Sequence, residues 1–294
     1  MRVFVTGATG FIGSAIVREL LGAGHRVLGL ARSDRGASAL AAAGAEVHRG
    51  SLEDLDSLKR GAAAADGVIH TAFIHDFSSF EANARIDERA IEAMAAALAG
   101  TDKPLVVSAG TLGLPPGRLA TEEDSPGSAL PRKSESAALS AAAQGVRAMV
   151  VRLSPSVHGD GDHGFVPALV TSAREKGFAL YVGDGENRWP AVHRLDAARL
   201  FRLALEKGTA GARFHGVADE GIPVRRIAQV IGRRLNVPVV SKSVAEAAEV
   251  LGFIGHAVAI DNPTSSAWTR ERLGWHPTQV GLLQDLEQGR YFES

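Results

Sequence analysis

Val3-Phe4-Val5-Thr6-Gly7-Ala8-Thr9-Gly10-Phe11-Ile12-Gly13 decides the fold of this chain. A short β-rich apolar run enters a glycine turn, and Ser14–Ala23 continues with good helix formers at helical spacing. The pattern Gly7-x-x-Gly10-x-x-Gly13 gives each glycine a separate task. Gly7 makes the tight turn, Gly10 lets the backbone approach a pyrophosphate, and Gly13 lets the helix lie against the strand. Free N–H groups at the helix start then face the anion. The segment therefore predicts a dinucleotide site at the first strand–helix junction.

The same alternation continues outward. Arg26–Leu30, Glu46–Val47, Gly67–His70, Leu105–Ser108 and Ala148–Leu153 read as further strands. Gly36–Ala43, Leu55–Ala62, Ile86–Ala99 and Ser134–Ala143 read as helices between them. Strands alternating with helices of this length define an α/β protein, a Rossmann-type doubly wound parallel sheet over residues 1–154. Residues 155–294 are expected to form a smaller C-terminal substrate-binding region, with about 211–236 returning to the sheet as strand Arg213–Val217 and helix Val224–Leu235. Ser154–Gly164 and Gly183–Pro190, dense in Gly, Pro, Asp and His, read as functional loops.

Composition narrows the class. The 294 residues carry 32 Lys+Arg against 33 Asp+Glu, a net charge of −1, and 45% are hydrophobic, enough for a full core. Near-neutral charge argues against nucleic acid or an anionic membrane as partner. With no cysteine, disulfides, thiolate metal sites and cysteine nucleophiles are excluded. No apolar run approaches the ~20 residues of a membrane-spanning helix, and no signal-peptide pattern opens the chain. A cytoplasmic protein acting on a small molecule is the expectation.

The end of the second strand selects the dinucleotide. An Asp or Glu there would bind the ribose 2′-hydroxyl of NAD. This chain has Ala31-Arg32-Ser33-Asp34-Arg35. Arg32 suits a 2′-phosphate, Ser33 and Arg35 add donors, and Asp34 falls past the strand, where it starts the next helix. NADP(H) over NAD(H) is expected.

With these residues in place, the chain resembles an extended short-chain dehydrogenase/reductase of the NAD-dependent epimerase/dehydratase type. Thr6–Gly13 matches that family's loop almost letter for letter. Gly50-Ser51-Leu52 stands where the family has Gly-Asp-Leu beside adenine, and Val68-Ile69-His70-Thr71-Ala72 resembles its fourth-strand motif. Val192-His193-Arg194-Leu195-Asp196 and Leu273-Gly274-Trp275-His276-Pro277 match its late signatures. The resemblance implies cofactor contacts at Gly7, Thr9, Gly10, Phe11, Ile12, Gly13, Ser51, Leu52, Ala72, Phe73, Ser108, Pro155 and Val157, beside Arg32, Ser33 and Arg35. It also implies a homodimer through Ile86–Ala99 and Ser134–Ala143.

The family's proton relay is a Ser or Thr after the fifth strand plus Tyr-x-x-x-Lys on the next helix. Aligned on Ser134-Glu135, Pro131 takes the Tyr position and Glu135 the Lys position, and the two tyrosines, Tyr181 and Tyr291, lie far away in sequence. The chain thus resembles an atypical branch. Thr111 is the expected hydroxyl, against the alternative of a turn hydroxyl bonded to backbone. Glu135, if buried, could exchange a proton near neutrality, against a solvated first-turn residue. His158 of Pro155–Gly164 is the expected loop acid–base group, and His75, His163 and Arg188 the expected substrate residues. Arg188 matches an arginine that grips nucleotide-sugar phosphates in some relatives, although Trp189-Pro190 departs from their pattern. Asp160, Asp162 and His163 lack a second cluster, so no metal is expected. Two functional classes follow: an NADP(H)-dependent oxidoreductase working on a carbonyl or hydroxyl of a small metabolite, with isomerase or lyase chemistry as the family's broader option, or a non-catalytic NADP(H) sensor.

Overall fold

The computed structural model describes residues 1–76, 79–127 and 132–293. Strand and helix alternate from the first residues: β1 (Arg2–Thr6), α1 (Phe11–Gly22), β2 (Arg26–Ala31), α2 (Asp34–Ala42), β3 (Glu46–Arg49), α3 (Leu55–Ala63) and β4 (Gly67–His70). Then come α4 (Phe80–Leu98), β5 (Leu105–Gly110), α5 (Ser134–Ala143), β6 (Ala148–Leu153), β7 (Ser156–His158), α6 (Phe165–Lys176), β8 (Ala179–Val182), β9 (Arg188–His193), α7 (Arg194–Lys207) and β10 (Arg213–Gly216). The chain closes with β11 (Asp219–Pro223), α8 (Val224–Leu235), β12 (Val239–Lys242), α9 (Val244–Leu251), α10 (Phe253–Val258), α11 (Ala267–Leu273) and α12 (Leu282–Gln288).

Seven strands form one parallel sheet in the order β10-β6-β5-β4-β1-β2-β3. Successive side chains of a strand point to opposite faces, so each face needs its own cover. On β1, Val3 and Val5 enter a core with Leu20 of α1 and Phe201 of α7, while Phe4 enters another with Leu58 of α3 and Met94 of α4. The chain leaves β1 toward β2 on one side, and β4 lies on the other. That reversal opens a crevice at the carboxyl ends of β1 and β4, where open α/β sheets bind ligands.

Two stretches expected as loops carry strand. Ser156–His158 pairs in parallel with β9, and β11 pairs antiparallel with β9. Their few apolar residues stand between glycines and prolines, so three to six residues of strand were hidden by turn composition. Buried Trp189 anchors a third core, with Val166 of α6 and Ile227 and Ile231 of α8. Helix α4 also begins at Phe80, one and a half turns before Ile86, since Glu81-Ala82-Asn83-Ala84-Arg85 continues the helical run.

The C-terminal segment returns to the main sheet through the family's late signatures. Trp275 is fully buried and donates its indole N–H to the carbonyl of Asp196, 3.0 Å away. The buried Asp196 carboxylate accepts from the Thr278 and Gln279 N–H groups at 2.9 and 3.0 Å. Asp196→Ala leaves both donors unmet, so it is expected to lower unfolding free energy by about 2–4 kcal/mol in denaturant titration. An unchanged midpoint would show that the tail docks by apolar contact alone.

Candidate active site

The glycine turn has the geometry of an anion cradle. Gly7 adopts φ +69°, and a Cβ there would lie 2.7 Å from the Ala72 nitrogen. A Cβ on Gly13 would lie 2.0 Å from the Gly7 carbonyl oxygen. Gly10 caps α1 in extended conformation with no side-chain cap, and α1 has no acidic residue in its first turn. Its leading N–H groups are thus left for a ligand, and a dinucleotide diphosphate fits them. Thr9 and Gly10 are exposed, while Phe11 and Ile12 are half-buried at the rim.

At the adenosine end, Arg32, Ser33 and Arg35 are all exposed beyond β2. Ser33 spends its hydroxyl on capping α2, accepting from Gly36 N–H at 3.2 Å. Asp34 is the first residue of α2 and pairs with Arg49. Arg32 and Arg35 make no ion pair among the described residues. Ser51 accepts from the Glu53 N–H, and Leu52 packs into the core near Leu58. Ala72 and Phe73 leave β4 beside Gly7, and Ser108 lies on β5. Pro155 and the half-buried Val157 flank the turn from β6 to β7.

The three expected proton-transfer groups fare differently. Thr111 is fully buried; its hydroxyl donates to Asn262 Oδ1 at 2.9 Å, and Asn262 donates back to the Thr111 carbonyl at 3.0 Å. The Thr111 hydroxyl is thus committed to another buried side chain and not to backbone. Glu135 is buried and gripped by Arg152 through Nε at 2.8 Å and Nη2 at 2.6 Å. Arg152 also meets His215 Nε2 at 3.1 Å and the Asp124 carbonyl at 2.8 Å. A carboxylate held this way serves as counter-charge to a buried cation. His158 is fully buried, with Nδ1 at 2.8 Å from Asp285 Oδ2 and no hydrogen-bond partner for Nε2. Pro131, aligned with the family's Tyr, lies outside the described residues.

Around His158 the structure gathers groups distant in sequence. His193 stands edge-on to its ring, 5.3 Å between centroids. The Tyr291 hydroxyl accepts from the Gly159 N–H at 3.0 Å and donates to Asp285 at 3.1 Å. Burial raises the Asp285 carboxyl, but the His158 bond and charge pull it below the usual carboxylate range. Burial alone dominates at Asp162, whose carboxyl is pushed up to about 6, and it also raises the Tyr291 phenol. Burial and the nearby His158 lower His193.

The loop above this cluster reaches the cofactor cradle. His163 stands edge-on to Phe11 at 5.7 Å, and the Arg194 guanidinium lies 5.1 Å from the same ring. His75 is exposed beside Phe73, 5.2 Å between rings, and the charges of Arg132 and His163 both reach it. Arg188, the expected substrate residue on β9, is clamped by Asp261 at 3.0 and 2.8 Å, so its charge is already met. Among the described residues no three His, Asp or Glu side chains are grouped to hold a metal ion. No described helix is long and apolar enough to cross a membrane.

Sequence reasoning missed Arg132. Its Nε donates to Ser134 Oγ at 2.7 Å and its Nη2 to the Ser108 carbonyl at 3.1 Å. Ser134 in turn donates to Asp87, which also takes a hydrogen bond from His70 Nε2 at 3.0 Å. His70 Nδ1 accepts from Thr6 Oγ1 at 2.8 Å, which closes a buried chain from β1 to the end of β5. Burial raises the Asp87 carboxyl, and His70, Arg132 and Ser134 together bring it below its ordinary value. The adjacency of Arg132 to Ser134 was the available signal; a search for Tyr and Lys passed over it.

Comparison with known proteins shows the family of the chain. The family model described as "NAD dependent epimerase/dehydratase family" matches residues 3–216, and the chain belongs to that family, as an extended short-chain dehydrogenase/reductase-type protein. Among its relatives, an uncharacterized protein of Schizosaccharomyces pombe is 54% identical over 99% of this chain and 100% of its own length. A 2-alkyl-3-oxoalkanoate reductase of Stenotrophomonas maltophilia is 30% identical over 83% of this chain and 79% of that protein. A dTDP-glucose 4,6-dehydratase of Streptomyces venezuelae, solved with NAD, shares the fold with a TM-score of 0.79 at 22% identity, over 99% of this chain and 97% of that one.

Two substitutions test the site's electrostatics. Glu135→Ala strands Arg152 without its counter-charge and is expected to cost about 3–5 kcal/mol of stability. Asp162 binds its proton more tightly folded than unfolded, so the wild type gains stability as pH falls through about 6 toward the ordinary carboxylate range. Asp162→Asn is therefore expected to be more stable than wild type at pH 7.5, by about 1–2 kcal/mol after discounting for partial exposure, with the gap closing by pH 4. Parallel stability–pH curves for the two proteins would contradict it.

Proposed function

We propose that this protein is an NADP(H)-dependent oxidoreductase that interconverts a carbonyl and a hydroxyl on a small metabolite. The observation that carries the reading is one crevice shared by two features: the bare N-terminus of α1 in its glycine cradle, and the polar groups at the ends of β4 and β5. Two relatives support the chemistry by name, the 2-alkyl-3-oxoalkanoate reductase and a ketoreductase of Stigmatella aurantiaca, 29% identical over 76% of this chain. Bound NADPH supplies a hydride which, with one proton, reduces a ketone to a secondary alcohol. The chain's own part is to hold the diphosphate on the Phe11–Gly13 N–H groups, to meet the 2′-phosphate with Arg32 and to align the carbonyl. For proton exchange, His158 is the expected group left with an unpartnered ring nitrogen; Asp285 takes its Nδ1–H and so fixes the tautomer. The implied homodimer through α4 and α5 belongs to the same proposal.

A non-catalytic NADP(H) sensor is the second reading. One observation favours it: Thr111 and Glu135 are both fully engaged in structural bonds. Steady oxidation of NADPH by a ketone panel supports the oxidoreductase, whereas tight NADPH binding with no turnover supports the sensor.

The cofactor preference has its own test. Arg32→Ala is expected to weaken NADPH binding by about tenfold to a hundredfold while NADH binding changes little, read by fluorescence titration. Equal affinities of the wild type for the two cofactors would sink the preference.

A further inference from the structure

Arg132 is a cation without a counter-ion at the mouth of the crevice. No carboxylate among the described residues lies within ion-pair distance of it, although 18 ion pairs are formed elsewhere. Its guanidinium lies 4.3 Å from the centroid of Phe73, and burial presses its pKa down while Asp87 partly restores it. Half-buried and without an ion-pair partner, the guanidinium keeps charge that a ligand can meet. The fork is also aimed. Nε is held by Ser134, Ser134 by Asp87 and Asp87 by His70, so the plane of the guanidinium is set by three buried residues. Asp87 spends both carboxylate oxygens on His70 and Ser134 and does not contact the cation. Nη1 has no hydrogen-bond partner among the described residues, and Nη2 uses one proton on the Ser108 carbonyl.

We propose that the substrate of the oxidoreductase carries a carboxylate, taken by Arg132, with its carbon chain against Phe73. The proposal rests on the oxidoreductase reading and names its substrate class. A single planar fork with one permanent charge matches a carboxylate monoanion better than a phosphate dianion. The pKa of neighbouring His75 is lowered, in part by the charge of Arg132. The clamped Arg188 leaves no second free cation on β9 for a diphosphate. Ser134, Asp87 and His70 are positioning residues: they aim Arg132 and do not themselves reach the ligand.

The test uses probes that cannot be reduced, alongside substrates that can. Calorimetric titration of the full chain, with and without NADP+, is made with hexanoate, hexanamide and hexyl phosphate. Hexanoate is expected to bind at least about tenfold more tightly than hexanamide, the size of one charge-assisted hydrogen-bond pair. Equal binding of the two, or tighter binding of hexyl phosphate, overturns the proposal. In turnover, 3-oxohexanoate is expected to exceed its methyl ester in kcat/KM, mainly through KM, and Arg132→Met to collapse that ratio by about tenfold or more. Arg132→Lys, which keeps the charge and loses the fork, is expected to fall between the two. A ratio that survives in Arg132→Met overturns the assignment to this residue. If no ketone is reduced at all, the oxidoreductase reading fails, while the hexanoate and hexanamide titrations still decide whether the anion site exists.

Discussion

The close approach of α1 to β1 is the constraint on which the rest depends. With a glycine at 13, the helix starts directly on the turn, and any Cβ there would collide with the Gly7 carbonyl oxygen at 2.0 Å. Gly7 in turn sits against the backbone leaving β4. Three chain segments are thus packed backbone to backbone at the centre of the sheet, where the strand order reverses. The helix end stays uncapped by any side chain, so its N–H groups are satisfied by water or by a ligand's phosphates. Everything that gives the crevice its chemistry hangs from the same strands: Arg32 beyond β2, Phe73 beyond β4 and the Ser108 carbonyl on β5.

Buried charge shapes the other wall. Helix α5 is fixed to the sheet by two polar systems, one on each side of its first turn. Ser134 joins Asp87 and His70, and Glu135 joins Arg152 and His215. In the second, Arg152 with no solvent exposure is tolerable because both Glu135 oxygens face it, and Arg213 Nε also lies 3.3 Å from Glu135. The first is open at one end, at Arg132. On the proposal made above, that difference is what sets Arg132 apart from the paired Arg152.

Much of this was legible in the sequence. Gly67–His70, Ala148–Leu153, Ser134–Ala143 and Val224–Leu235 are found where periodicity placed them, because long apolar or helical runs report their own burial. Asp34 does begin α2, as its position past the strand indicated. The short strands β7 and β9 were missed, since β7 is only three residues long and β9 contains Pro190 beside a glycine-rich turn. The partners of Thr111 and Glu135, Asn262 and Arg152, were not legible, because they lie 151 and 17 residues away and are chosen by tertiary packing. Likewise, Tyr291 is remote in sequence, yet α12 carries the chain back so that its hydroxyl meets Gly159 and Asp285. Single-sequence patterns show which groups exist; they do not show which are already bonded.

On the proposed function, the glycine cradle and Arg32 together bind the 2′-phosphorylated half of a dinucleotide. Calorimetric titration with 2′,5′-ADP and with 5′-AMP tests this without any reaction. 2′,5′-ADP is expected to bind at least about tenfold more tightly, a preference that weakens as salt screens the exposed guanidinium. Equal affinities, or tighter binding of 5′-AMP, would contradict it.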